Sequence, residues 1–226
     1  KEIAKEAIAY SFPLLLSNVI LFIYQYIDRF ILAITNSISD VGIYALATKI
    51  ALLLSLLHVA LNRVLNPYLY SNLNKKKIDK NRIAKVFNYN ILLFITIGFL
   101  LALFSKEFVY LLAPSKYSNA SFIAPILILG YVFLAFYFNS VRFLFYYKQT
   151  KIISITSVIF GIINLILGFI FIPLYGSIAA AIIFLSTLIM HSVVIHYYAK
   201  RIIDINFGYE RLIILISLIA VLFSVI

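Results

Sequence analysis

Apolar residues fill long uninterrupted stretches of this chain, and polar residues collect in the short gaps between them. Windows of about 20 residues, the length a helix needs to cross a hydrocarbon core, pick out six apolar runs near 7–34, 41–65, 87–104, 121–142, 152–172 and 177–198. A seventh run begins at Leu212 and is cut off at Ile226, too short to span. The pattern predicts an all-α integral membrane protein: a six-helix transmembrane bundle plus a truncated seventh helix. The bundle is assigned to 1–198, and a cytoplasmic connection with the start of a further span to 199–226. Turns at Thr35 to Asp40 and at Pro173-Leu174-Tyr175-Gly176 are short enough to make neighbouring spans antiparallel hairpins.

Two connections are longer. One begins Asn66-Pro67, read as a helix stop, and continues through Tyr68, Leu69, Tyr70 and Leu73 to a lysine cluster. It reads as an interfacial segment, apolar side in the headgroups and lysines in water. The other, Ser105 to Ala120, reads as a short interfacial helix bearing Phe108, Val109, Leu111 and Leu112, broken at Pro114. The first residue is Lys1 rather than methionine, no signal-peptide cleavage pattern follows it, and Ile226 lies inside an apolar run. The sequence is therefore expected to be part of a longer chain.

Composition agrees with the pattern. Charged residues make up 12% of the chain, against roughly 25% in a typical soluble domain. A mean hydropathy of +1.06 leaves too little polar surface to coat a globule. The net charge of +11 would suit nucleic acid only if the basic residues shared one solvated face. They lie instead between apolar runs. If the first span leaves the cytoplasm, the inner connections hold Lys75, Lys76, Lys77, Lys80, Arg82 and Lys85, then Lys148 and Lys151, then Lys200, Arg201 and Arg211. The outer connections hold Lys106 and Lys116. That asymmetry follows the positive-inside rule and sets the orientation in a cell membrane. Contact of the basic loops with anionic membrane lipid is a secondary expectation. Tryptophan is absent, so the interfacial aromatics are tyrosines at segment ends: Tyr68, Tyr70, Tyr146, Tyr147, Tyr197 and Tyr198.

The remaining chemistry lies in polar residues within the spans, where each ionisable group costs about 2.5 to 3.5 kcal/mol at mid-depth. In the first span Ser11, Asn18 and Gln25 recur every seven residues, and Asp28 and Arg29 extend the same helix face. Such a stripe serves either helix packing through side-chain hydrogen bonds or the wall of a polar transport cavity. The second span carries Lys49, His58, Asn62 and Arg63. Asp28 and Lys49 lie at similar depths, roughly 10 to 14 Å from the intervening turn at 1.5 Å per residue. They are expected to pair, as a structural ion pair or as a cavity pair that also meets substrate. At about 100° per residue, Lys49 and Arg63 share one side of this helix and His58 and Asn62 the other. Lys49 is assigned to the cavity and Arg63 to its cytoplasmic mouth. Ser157, Gly161, Asn164 and Gly168 follow the small-residue spacing of close helix packing. Asn139, Arg142 and His191 complete the candidates. With no cysteine and no HExxH-type histidine spacing, no metal site is expected, and without a phosphate-cradling Gly-rich loop no ATP hydrolysis or cofactor either.

Several stretches resemble polysaccharide-export flippases, the oligosaccharidyl-lipid transporters of a superfamily that also holds multidrug and toxin extruders and peptidoglycan-precursor flippases. They are Ser11-Phe12-Pro13, Tyr26-Ile27-Asp28-Arg29-Phe30-Ile31-Leu32, Val41-Gly42-Ile43-Tyr44-Ala45-Leu46-Ala47-Thr48-Lys49-Ile50 and Asn66-Pro67. Ser105-Lys106-Glu107, Tyr117 with Ala120 and Pro125, and Pro173 through Ala181 extend the likeness over most of the chain. The resemblance implies the second half of a transporter built from two six-helix halves around a central cavity, with the N-terminal half missing here. It further implies movement of an undecaprenyl-pyrophosphate-linked oligosaccharide between leaflets by alternating access, with the polyprenyl-pyrophosphate-linked glycan as partner and no enzymatic step. The substrate-cavity candidates are Asn18, Gln25, Asp28, Arg29, Lys49, Arg63 and Arg142. The rivals are a drug or toxin extruder, expected to favour acidic cavity residues, a peptidoglycan-precursor flippase, and a membrane-embedded glycosyltransferase or polymerase.

Overall fold

The computed structural model describes residues 26–205. Ser11, Asn18, Gln25 and the run from Leu212 lie outside the described residues. Within them, all regular structure is helical. The chain enters as a helix over 26–35 (α1), then α2 (Ile38–Leu73), α3 (Lys80–Leu103), the short α4 (Ser105–Leu112), a single 3₁₀ turn (Ser115–Tyr117), α5 (Ala120–Tyr146) and α6 (Thr150–Ile202). Among these, α2, α3, α5 and α6 are long and apolar enough to cross a membrane. The end of the bundle that carries the lysines is taken as the inner end, following the charge rule.

Local chemistry sets the boundaries. Ser37 caps α2, its hydroxyl accepting from the Asp40 amide at 3.1 Å while the Asp40 carboxylate accepts from the Ser37 amide at 3.3 Å. This reciprocal box satisfies two amides that the first helical turn would leave bare. Asp79 opens α3 with a one-way cap, accepting from the Arg82 amide at 2.9 Å. The runs expected at 152–172 and 177–198 are joined in α6, which folds back at Gly176 (φ 62°, ψ −142°). Its limbs are antiparallel: Asn164 Nδ2 donates to Thr187 Oγ1 at 3.3 Å, and the Phe160 ring stacks on His191 with centroids 4.9 Å apart.

One expected boundary is corrected. Asn66-Pro67 does not stop the second helix, because α2 runs through Pro67 to Leu73. Proline removes one donor, leaving the carbonyl four residues back without its amide partner. Against that loss stand Leu65, Leu69 and Leu73, spaced four residues apart and buried on one face. The residues expected to lie along the interface are therefore the last turns of α2. The outer connection agrees with expectation, with α4 at Ser105–Leu112, exposed Leu111 and Leu112, and a break at Pro114.

Two hydrophobic clusters stack along the bundle. The larger joins α1, α2, α3, α5 and α6 through Leu32, Leu54, Phe94, Leu127, Ile128 and Ile183. The smaller, at the inner end, gathers Leu65, Leu69, Phe87, Phe143, Ile153 and Ile195. α5 is the central column, packing most extensively on α6, then on α2 and α3. Its approach to α3 requires a glycine, since a Cβ on Gly98 would lie 2.6 Å from Val132 Cγ2. Without a hydrophobic drive between helices in lipid, such close backbone contact is a main source of cohesion.

Candidate functional site

Against the smaller cluster lies a group of polar side chains, and Arg142 is its hub. The side chain is 2% exposed. Its Nε donates to Asn66 Oδ1 at 2.8 Å, its Nη1 to Asn139 Oδ1 at 2.6 Å and its Nη2 to Asn62 Oδ1. Asn90 Nδ2 donates to the same Asn139 oxygen at 3.0 Å, and Asn139 Nδ2 donates to the Phe87 carbonyl at 3.3 Å. The guanidinium also lies over the Phe87 ring, 5.5 Å from its centroid. A planar cation with forked donors matches amide oxygens arriving from several directions. Here they arrive from α2 and α5, and Asn90 and Phe87 tie in α3. Arg142, a cavity candidate from sequence, is thus seated in an amide cage inside the bundle.

The histidines are packed apart from the cage's hydrogen bonds. His58 is 3% exposed and stacks on Phe94 with centroids 4.1 Å apart. His191 lies against Tyr137 and Phe160, with Nε2 3.3 Å from Thr156 Oγ1. Ser140 Oγ and His196 Nδ1 are 3.1 Å apart. These contacts make the histidines packing elements. Groups of histidine, cysteine and carboxylate residues that could hold a metal ion are absent among the described residues.

The helical phase of α2 follows the sequence expectation. His58 and Asn62 turn inward, while Lys49 and Arg63 are exposed on the opposite side. Leu56, midway between them at the same seven-residue spacing, is 67% exposed. The outward face of α2 is therefore an apolar stripe with a cation near each end.

Asp28 and Lys49 do not pair. The Asp28 carboxylate is buried, and its Oδ2 accepts from the Tyr44 hydroxyl at 2.8 Å. Tyr44 lies on the buried side of α2 and Lys49 on the exposed side, so helical phase rather than depth decided the partner. Asp28 Oδ1 and Arg29 Nε are buried without a hydrogen-bond partner. The Arg29 guanidinium lies 5.7 Å from the Tyr26 ring centroid. Asn18 and Gln25 lie outside the described residues. The polar stripe can thus be followed only at Asp28 and Arg29, which turn different sides to the bundle: one is buried and the other half-buried.

In the α6 hairpin the small-residue face packs as expected. Asn164 is buried between the limbs, and a Cβ on Gly168 would lie 2.9 Å from Ile31 Cδ1. Sequence reasoning did not single out Asn66, Asn90 or Tyr44. Asn66 belongs to the proline signal, Asn90 is a lone neutral residue, and Tyr44 stands only within the stretch that carries the resemblance.

Long apolar helices, charges gathered at one end and a polar cage within the bundle define a multi-pass helical membrane protein. The chain belongs to the polysaccharide biosynthesis protein family, whose model matches residues 1–122. It is also 26% identical over 156 residues to protein 1 of the Lsg locus of Haemophilus influenzae, an alignment covering 69% of this chain and 39% of that protein. The chain therefore spans about two fifths of the length of the curated relative it matches. No solved structure matches.

Proposed function

We propose that this chain is one six-helix half of a flippase that moves an undecaprenyl-pyrophosphate-linked oligosaccharide across the cytoplasmic membrane by alternating access, without catalysing a covalent step. The bundle at 1–198 supplies one cavity wall, and an N-terminal half of the same protein supplies the other. The observation that carries the reading is the exposed face of α2, where Lys49 and Arg63 stand outward from the bundle. A charged side chain on a lipid-facing position is costly, so exposed cations within a span face a polar path in the assembled protein. Their sign fits a pyrophosphate. Among the described residues Asp28 is the carboxylate within a span, and it is turned inward onto Tyr44. A cavity built for cationic drugs would present the opposite charge, which disfavours the extruder reading.

Lys49 and Arg63 contact the anionic head group, and Arg29 joins them from α1. Arg142 sets the rotation of α2 by holding Asn62 and Asn66 inward. The polyprenyl tail stays in lipid.

Replacing Lys49 and Arg63 by glutamine in the full-length protein is expected to reduce flipping of a fluorescent lipid-linked oligosaccharide in proteoliposomes by about tenfold or more. A hydrogen bond to a charged group is worth about 1.5 to 3 kcal/mol, and about 1.4 kcal/mol is a factor of ten. The thermal midpoint should not move, since neither side chain packs inside the bundle. Undiminished flipping by the folded double variant would remove both residues from the substrate path.

A further inference from the structure

We infer that the inner rim of the bundle is a built binding surface for anionic phospholipid headgroups, formed by three basic segments that the fold gathers around one hydrophobic cluster. The cluster takes residues from the end of α2 with the start of α3 (Leu69, Ile83), from the end of α5 (Leu144) and from the end of α6 (Ile195, Ile203). Each of these regions brings exposed cations: Lys75, Lys76 and Lys77 after α2, Lys148 and Lys151 around the α5–α6 turn, and Lys200 and Arg201 at the end of α6. The acidic residues near them among the described residues are Asp79, which caps α3, and Asp204.

Directing insertion requires only that such charges lie in the right loops. Here the loops are also tied together. Tyr146 donates its hydroxyl to Asn74 Oδ1 at 2.5 Å, joining the α2–α3 connection to the end of α5, and the Tyr70 and Tyr146 rings pack at 5.4 Å. Lys75 Nζ donates to Asn72 Oδ1 at 2.8 Å, and the Arg201 guanidinium lies 4.6 Å from the Tyr197 ring centroid. Tyrosines at headgroup depth beside cations form the polar and apolar halves of a lipid contact.

The α5–α6 turn adds an independent sign. Lys148 has φ 55°, and the Lys148 and Gln149 amides donate to the Phe145 and Leu144 carbonyls at 3.1 and 2.7 Å. This is a Schellman helix end whose left-handed position is usually glycine. A lysine held there, exposed, places charge at the rim against backbone preference.

The test uses the purified full-length protein in detergent, with phosphatidylglycerol, phosphatidylcholine of the same acyl chains, or inorganic phosphate added. Phosphatidylglycerol is expected to raise the thermal midpoint by several degrees, and 0.5 M salt to shrink that rise. Phosphatidylcholine and phosphate should do little. Lys148→Gly is the decisive variant, because it removes the charge while suiting the turn. Its response to phosphatidylglycerol, read against its own lipid-free midpoint, should fall. Converting Lys75, Lys76 and Lys77 to glutamine should cut the response by half or more, and converting them to arginine should restore it. Lys106→Gln with Lys116→Gln, at the opposite end, should respond like the parent. Equal shifts with both lipids, a matching shift with phosphate, or a full response from Lys148→Gly and the triple glutamine variant would each overturn the inference.

Discussion

Arg142→Leu is expected to lower the stability of the protein by about 2 to 6 kcal/mol. The leucine is close in volume to the arginine stem but donates nothing. Asn62 and Asn66 then lose the donors that reach their side-chain oxygens, while Asn139 keeps the bond from Asn90. An acceptor left without a partner away from water costs about 1 to 3 kcal/mol, and two such acceptors set the range. Arg142→Lys should recover only part of the loss, because an ammonium cannot present the fork that reaches separate oxygens at once. Thermal unfolding of the purified full-length protein measures both. A midpoint unchanged in Arg142→Leu would show that the cage carries no net energy. A lysine variant as stable as the parent would show that charge matters and fork geometry does not.

Gly176 supports the second large prediction. A φ of 62° with ψ of −142° is a conformation that side chains disfavour on steric grounds within their own residue. Space around it is open, since a Cβ would find Asn36 Nδ2 as its neighbour at 3.7 Å. The penalty on substitution is therefore one of backbone strain, about 1 to 3 kcal/mol. Gly176→Ala should already incur most of it, with Gly176→Val adding little. Gly130 provides the contrast, because a Cβ there would lie 2.7 Å from Phe184 Cε1. At that site the loss should grow with side-chain size. If the midpoint of Gly176 variants instead tracked size, crowding rather than backbone conformation would be the cause.

The apolar runs made the long helices legible, and the Pro173-Leu174-Tyr175-Gly176 turn located the fold of α6 to within a residue. Both are signals that neighbouring residues carry together. Where a signal depended on distant segments, local rules misled. Pro67 carries a real local penalty, yet the burial of Leu65, Leu69 and Leu73 against residues far along the chain outweighs it. The pairing of Asp28 with Lys49 followed from depth alone. Helical phase places Lys49 among exposed positions and Tyr44 among buried ones, a signal that the spacing of Tyr44, Thr48, Ala51 and His58 already contained. The amide cage had no sequence signature, because Asn62, Asn66, Asn90 and Asn139 are single neutral residues on three helices. Their meaning depends on Arg142 standing among them.

The seating of a polar cage against the smaller of two hydrophobic clusters has a mechanical consequence. Apolar packing yields gradually as contacts are shortened one by one, whereas a fork of directional hydrogen bonds lets go abruptly. Drawn out of a bilayer by its C-terminal side, the chain first strips Ile203 and Ile195 from the smaller cluster and only later reaches the larger one through Leu188 and Ile183. A force–extension trace should therefore show two separated peaks as the second limb of α6 leaves. Arg142→Leu should leave both in place and lower the later peak at which α5 is drawn from α2, because the cage ties α5 to α2 and α3 and takes no side chain from α6.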